Sequence, residues 1–160
     1  MPRSKSRKRS RTGGVRLPKR ALLPLSNDYV RKQSLASHMA LVVCDTDEGN
    51  RHSFHELIRI TYLTFLLWEE GFGEADVQLF VDSEAALNAA VGRAQENATW
   101  RLDKAEASLI EQIVRVHDEQ LSGVPMRYLV MAEAKLEVLL SKPRVFSPIR
   151  ADRPHPGAST

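Results

Sequence analysis

A chain of 160 residues, 42% of them hydrophobic, is long enough to bury one core and too short for a second domain of ordinary size. The formal charge of +3 conceals an asymmetry, because residues 1–20 hold nine Arg or Lys and no acid, while the rest of the chain holds fourteen bases against twenty acids. The single cysteine, Cys44, excludes an intramolecular disulfide and therefore a secreted disulfide scaffold. A reducing cytoplasm is the expected compartment.

Residues 1–20 are basic, poor in apolar side chains and interrupted by Gly13, Gly14 and Pro18. Such a segment cannot bury enough surface to offset the entropy lost on ordering, so we expect a disordered basic arm. The absence of a following run of seven or more apolar residues argues against a secretory signal, whereas an Arg- and Ser-rich transit peptide stays open. The next segment, 21–25, has the sequence ALLPL, and we expect it to lie extended along the body as an anchor.

The first predicted helix runs from about Asp28 to Cys44, with Ser26 or Asn27 as its N-cap. Apolar residues recur along it at steps of three and four, which is the spacing of one helical face. The predicted buried stripe consists of Leu35, Met39, Val42 and Val43. A polar turn, 45–51, follows. It opens like a calcium-binding loop, but Gly49 and Asn50 stand where an EF-hand needs a ligand and then a glycine, so a solvated turn is the better interpretation.

The second predicted helix, Ser53–Glu70, is apolar on nearly every face and is the expected centre of the fold. Ser53 and Glu56 have the spacing of a capping box, and Gly71 supplies the C-terminal stop. One face carries Phe54, Leu57, Ile58, Thr61, Phe65 and Trp68, and the other carries Ile60, Leu63 and Leu67. Arg59 at its middle argues against a membrane span. We expect Arg59 to reach solvent or an acid, and Thr61 to be buried.

Three further helices are predicted, at 75–97, at about 104–121 and from Pro125 to a stop at Lys142–Pro143. The first could divide at Asp82, the second opens with a capping box from Asp103 to Glu106, and Gly123 ends it. Their apolar stripes are Val77, Phe80, Val81, Ala85, Leu87, Ala90, Val91 and Ala94; Leu109, Ile113, Val116 and Leu121; and Leu129, Ala132, Leu136 and Leu139. No segment longer than a few residues alternates apolar and polar residues, so no sheet is expected.

The predicted fold is therefore all-α, a single bundle of five to six helices. The predicted division is a disordered basic arm at 1–20, a helical domain at 21–142 and a flexible Pro-rich tail at 143–160.

The sequence offers no catalytic constellation. It contains no nucleophile elbow, P-loop or GxGxxG, and Cys44 ends an apolar stripe, where a buried thiol is expected rather than a reactive one. His52, His55 and Glu56 are clustered, and His38 and His117 could approach them in space, but the Glu-x-x-His of a di-iron bundle is absent. We interpret the histidines as structural and expect His117 on the polar side of its helix. No metal ligand and no cofactor is predicted.

Nucleic-acid binding has a physical basis in the arm. Basic side chains without compensating acids release counterions from phosphates, which gives salt-dependent and largely sequence-independent affinity. The predicted contact residues are Arg3, Lys5, Arg7, Lys8, Arg9, Arg11, Arg16, Lys19 and Arg20. A solubilising or targeting tail is the alternative. The arm has no aromatic side chain to stack on bases, and an acidic body would confine the contact to the arm.

The last two helices have the outline of a helix-turn-helix around Gly123. Glu119 stands where close packing favours a small residue, and Glu133 and Glu137 lie on the would-be recognition helix. A plain helical hairpin is the better interpretation.

Two stretches, LASHMALV at 35–42 and TWRLDKAEASLIEQIVRVHDEQLSGVP at 99–125, resemble small helical proteins of proteobacterial plasmids and phages, some of them named Fis-like regulators. The chain departs from true Fis, whose recognition helix is basic, because residues 126–141 are close to neutral. The resemblance implies a cytoplasmic accessory role in mobile elements or transcription regulation, and it carries over no catalytic residue.

The sequence thus predicts a non-enzymatic accessory or regulatory protein that binds DNA or RNA through residues 3–20 and another protein through its helical body. The alternative is a protein-protein interaction module, an adaptor or inhibitor, with no nucleic-acid role. An enzyme is the least supported class. The expected partners are nucleic acid, an unidentified protein and a second copy of the chain, with no membrane.

Overall fold

The computed structural model describes residues 18–142 and 147–150. Within these ranges the chain forms a short 3-10 turn, Lys19–Leu22, and five α-helices. The helices are α1 (Asn27–Cys44), α2 (Arg51–Glu69), α3 (Val77–Asn97), α4 (Lys104–Gly123) and α5 (Met126–Leu140). The described residues contain no β-strand, only an isolated bridge between Pro24 and Pro125. The predicted all-α bundle of five to six helices is confirmed.

Parts of the predicted arm and tail lie outside the described residues, namely 1–17, 143–146 and 151–160. The division into arm, helical domain and tail stays a prediction. In the part of the chain that the structure describes, every helix is too short or too polar to cross a bilayer.

Helix α2 is the centre of the bundle, as predicted. It packs against α1, α3, α4 and α5, and every residue from Ile60 to Trp68 is buried. The rings of Phe65 and Trp68 pack against Phe80 of α3, with centroid separations of 5.3 and 5.5 Å. Neighbours on four sides explain why a helix apolar on nearly every face is stable in water.

The start of α2 differs from the predicted capping box. Asn50 is the N-cap, and its side-chain oxygen accepts the backbone N–H of Ser53 at 2.9 Å. Asparagine caps as well as serine does, and using Asn50 adds two residues to the helix. Glu56 is consequently free to pair with Arg59 instead of reaching back to a cap. The predicted stop is confirmed, since Gly71 has a φ of +90° just after the helix.

The two polar interruptions of α2 behave as predicted. The Thr61 hydroxyl is buried and donates to the backbone oxygen of Leu57, one turn back, at 2.8 Å. Arg59 is half-buried and donates two hydrogen bonds to the carboxylate of Glu56, at 2.7 and 3.0 Å. Neither polar group is therefore buried without a partner.

Helix α1 contradicts the predicted buried stripe. Leu35, Met39 and Val42 are exposed, with relative accessibilities of 63, 53 and 59%, and Val43 is only partly buried. The buried positions are instead small, namely Ser37, Ala40 and Cys44. Small side chains let α1 approach α2 and α4 closely, and this close packing turns the larger residues outward.

Helix α3 runs without a break through Asp82, because Ser83 is buried inside the bundle rather than starting a new helix. Of its predicted stripe, Ala85 is exposed and the neighbouring Ala86 is buried instead. The capping box of α4 is confirmed, with the Asp103 carboxylate accepting the Glu106 N–H and the Glu106 carboxylate accepting the Asp103 N–H, both at 2.8 Å.

Two glycines allow close approaches between connectors and helices. A Cβ on Gly49 would lie 1.5 Å from the backbone oxygen of Trp100, so only glycine fits where the α1–α2 turn meets the α3–α4 connector. Gly73 has a φ of +78°, and a Cβ there would press on Val116 and Gln120 of α4. The first approach lies in the connector before α4, and the second lies against the last two turns of α4.

Helix α5 does not form the expected hairpin with α4. Pro125 is its N-cap rather than its first residue, and α5 packs against α2 and the 3-10 turn. In the described part of the chain no Cα of α5 lies within 8 Å of a Cα of α4. A plain hairpin and a helix-turn-helix both need these two helices to pack together, so both interpretations are wrong. Gly123 is the last residue of α4 and has no positive φ.

The ALLPL segment anchors the body through one leucine. Leu25 is buried, whereas Leu22 and Leu23 are exposed. Its first two residues, Ala21 and Leu22, belong to the 3-10 turn rather than to the expected extended chain. The Leu23 carbonyl accepts the Met126 N–H at 3.0 Å, which joins this segment to the start of α5.

Replacing Leu63 or Phe65 by alanine is expected to lower the free energy of unfolding by about 2 to 5 kcal/mol, because each empties a site enclosed on several sides. Chemical denaturation of the two variants measures this loss. Leu22→Ala is the matched control, since it removes a leucine from an exposed position and should change stability by less than about 0.5 kcal/mol. Losses below about 1 kcal/mol for both core variants would contradict the central role of α2.

Candidate functional site

The structure describes only two of the nine predicted nucleic-acid contacts. Lys19 and Arg20 lie exposed on the 3-10 turn, which packs against α5. The other seven, Arg3, Lys5, Arg7, Lys8, Arg9, Arg11 and Arg16, lie outside the described residues. The basic segment therefore joins the body beside the start of α5.

An apolar groove lies between α2 and α5. It is a shallow, open depression of about 570 Å³, lined by Leu66 of α2 and by Met131, Ala134, Lys135, Val138 and Leu139 of α5. Met131 and Val138 stand one above the other on α5 and are 48 and 59% exposed, and Val130 beside them is also exposed. Of the predicted buried stripe of α5, Leu129, Ala132 and Leu136 are buried and point the other way. Leu139, the fourth residue of that stripe, is only partly buried and lines the groove. Exposed apolar side chains grouped in this manner are typical of a protein contact.

A second cleft, also of about 570 Å³, follows the least buried side of α2. The polar residues that line it are His52, His55, Glu56, Arg59, Tyr62, Glu84, Asn88 and Ser147. Its two histidines, His52 and His55, are exposed and lie in the first two turns of α2. The sequence had grouped His52, His55 and Glu56, but it could not bring the α3 residues Glu84 and Asn88 to the same cleft.

The carboxylates of this cleft already accept hydrogen bonds. The Arg59 hydrogen bonds hold the pKa of Glu56 below its usual range, so Glu56 is ionised at neutral pH, and the same contact raises the pKa of Arg59. Glu84 accepts the Tyr62 hydroxyl at 2.7 Å, and burial raises the pKa of that tyrosine. A carboxylate with a lowered pKa accepts hydrogen bonds and does not supply a proton at neutral pH. This geometry suits anchoring of α2 better than acid-base chemistry.

Arg59 also joins α2 to α1. Besides Glu56 it reaches Gln33 of α1 at 3.5 Å. Tyr29, also on α1, donates to Glu133 of α5 at 3.2 Å, and burial raises its pKa to about 12. Polar contacts among α1, α2 and α5 thus lie near the one charged residue in the middle of α2.

His117 was expected on the polar side of α4, and this prediction is wrong. The side chain is 1% exposed, because α4 is covered by α1, α2 and α3 and position 117 faces inward. Burial and the Arg59 charge lower the pKa of His117 to about 4, against smaller opposing effects of Asp118 and Glu56. The imidazole is therefore neutral at physiological pH.

The structure separates the remaining candidates for metal or thiol chemistry. His38 pairs with Asp118 on the surface at 2.8 Å, away from the cleft. Among the described residues no three of His, Cys, Asp and Glu are grouped so that they could hold a metal ion. Cys44 is buried, as predicted, and burial raises its pKa to about 12, so its thiol is not ionised at neutral pH.

The buried His117 predicts a pH dependence of stability. Its folded pKa of about 4 lies below the ordinary value of 6.5, so between these values the unfolded chain binds a proton that the folded chain does not. The free energy of unfolding should fall by on the order of 3 kcal/mol as the pH drops from about 6.5 to about 4.

Denaturation at a series of pH values measures this fall. His117→Gln should flatten the dependence in this window, whereas His55→Gln, at an exposed position, should leave it unchanged. The slope against pH is compared rather than the absolute stability, because replacing a buried side chain has its own cost. An equal slope in the His117 variant would contradict the prediction.

The chain matches no protein-family model, no curated protein and no solved structure with which it was compared. The resemblance to plasmid and phage proteins and to Fis-like regulators stays a prediction. Function is therefore argued from the charges and surfaces described above.

Proposed function

We propose that this chain is a non-enzymatic accessory or regulatory protein. Its basic N-terminal segment, residues 3–20, binds DNA or RNA, and its helical body binds another protein. The observation that carries the proposal is the separation of charge, since nine bases without an acid precede a body in which acids exceed bases by six. A polyanion is attracted by the segment and repelled by the body.

The C-terminal end of the basic segment, where it joins the helical body, supports this proposal. Lys19 and Arg20 are exposed, and the hydrogen bond from Met126 to Leu23 fixes the chain just behind them. Basic side chains that precede a fixed point can contact phosphates without disturbing the bundle. Contacts of that kind carry no sequence information, so the expected binding is general rather than sequence-specific.

The groove between α2 and α5 supports the protein contact. Its exposed apolar lining suits an amphipathic helix that places residues at steps of three and four against it. Lys135 lies at the groove and pairs with Glu70 at 3.1 Å, so the edge of the groove already carries a compensated ion pair. The accessory role and a location in the cytoplasm are part of the same proposal.

A second candidate is a pure interaction module without a nucleic-acid role. The same apolar groove favours it, because a protein contact needs nothing from the basic segment. The two candidates differ only in whether nucleic acid binds.

Neutralising Arg7, Lys8, Arg9 and Arg11 to glutamine is expected to weaken nucleic-acid binding about equally on unrelated sequences. The slope of log affinity against log salt should become shallower by about 3 to 4 on a duplex, because up to four phosphate contacts are lost. Fluorescence anisotropy at several salt concentrations, with two unrelated duplexes and one single strand, measures both effects. Circular dichroism should stay unchanged, because the substitutions precede all five helices.

The control is a variant with the same loss of charge elsewhere, Arg51, Lys104, Arg115 and Lys142 to glutamine, all at exposed positions. It should retain binding. Equal weakening in the control would mean that only net charge matters and would overturn the assignment to residues 3–20. Absence of binding by the intact chain at low salt would leave the pure interaction module.

A further inference from the structure

We infer that two copies of the chain associate through α1, packed antiparallel across a two-fold axis. The inference uses a surface separate from the basic segment and from the groove at α5, and it does not depend on nucleic-acid binding. It begins from the exposed apolar row Leu35, Met39 and Val42.

This row has the spacing of a coiled-coil seam. Steps of four and three residues connect Leu35, Met39 and Val42, and one step further back lies Lys32, whose aliphatic stem can extend the seam. The opposite side of α1 is packed on α2 and α4 through Ser37, Ala40 and Cys44. The seam is therefore held rigidly on the body, and the opposite side of α1 is not accessible to a partner because it is buried against α2 and α4.

The charges along the edge of the seam favour a second copy of this chain as the binding partner. Arg31 and Asp45 lie on the same edge, fourteen residues apart, with His38 midway between them. Asp45 has helical backbone angles at the end of α1, so it continues this edge. An antiparallel copy places Arg31 of each chain beside Asp45 of the other. In a parallel copy this edge would instead face the opposite edge of the partner, where Ala36 lies, so Arg31 and Asp45 would not meet. The edge is complementary to itself only in the antiparallel arrangement.

His38 on this edge pairs with Asp118 of α4, whereas the charged residues on either side of it have no such partner among the residues that the structure describes. In the described part of the chain none of Arg31, Lys32 and Asp45 forms an ion pair. Ala36 lies on the other edge of the seam and is small enough for a second helix to approach. A two-fold arrangement uses the same patch on both chains and closes after two copies, as most homo-oligomers do.

The contact is small. Helix α1 has 18 residues, which corresponds to a length of about 27 Å, and one helix pair lies at the lower end of stable interfaces. We therefore expect a reversible dimer with a dissociation constant in roughly the micromolar range.

Sedimentation equilibrium of the full chain, freed of nucleic acid by nuclease treatment, tests the inference. The mass should rise with concentration from 18.0 kDa to twice that value. Met39→Glu should weaken association by about tenfold or more, because it buries an unpaired carboxylate in the seam. Met131→Glu, which changes an exposed methionine of α5, is the matched control and should associate like the unchanged chain.

A charge exchange tests the orientation. Arg31→Asp and Asp45→Arg should each weaken association by about three- to tenfold, because each puts like charges together twice per dimer. The double variant restores both pairs and should recover the original affinity. A parallel dimer would show no such recovery and would overturn the antiparallel arrangement.

Association that Met39→Glu leaves intact would also overturn the inference, and loss in the Met131 variant would move the contact to α5. A chain that stays monomeric at every concentration would overturn the inference, and the α1 face would then be a contact surface for a different protein. Circular dichroism of each variant verifies that the helices are retained. Because no nucleic acid is present, these outcomes are independent of the basic segment.

Discussion

The burial of α2 on four sides is the constraint on which the rest of the structure depends. Ile60 to Trp68 cannot face water, so α1, α3, α4 and α5 must all pack on one helix. Five helices of modest length can do this only if some of them give up contacts with each other. The separation of α5 from α4 follows from this, because α5 covers the side of α2 that α4 does not reach.

The same constraint explains the polar groups of the interior. Arg59 interrupts the apolar surface of α2, and Glu56 and Gln33 supply its partners at the gap between neighbouring helices. His117, on a helix covered from three sides, is held neutral by burial. The hydrogen bonds of Arg59 restrict which helix can lie beside it, because a half-buried charge needs a polar partner.

The outer surfaces divide the expected contacts among different elements. The small residues of α1 that pack on the body leave Leu35, Met39 and Val42 outside, and the apolar side of α5 borders a groove with Leu66. Exposed apolar side chains grouped on one helix favour association with a partner over a monomer with these side chains in water. A dimer through α1 would leave the groove of α5 free for a protein partner, and it would bring two basic segments into one particle.

The sequence by itself determined the helical class, the central position of α2, the capping box of α4, the Gly71 stop and the burial of Thr61 and Cys44. These follow from local spacing and from apolarity around a whole helix, which leave few alternatives. Only the tertiary structure decided which side of α1 is buried, whether His117 is buried and whether α5 packs against α4. Apolar spacing predicts a face without naming its neighbour, and for α1 close packing through small residues mattered more than burial of large ones. The charges of residues 1–20 could likewise be identified from the sequence. The seam on α1 and the groove at α5 could be identified only once the positions of all five helices were known.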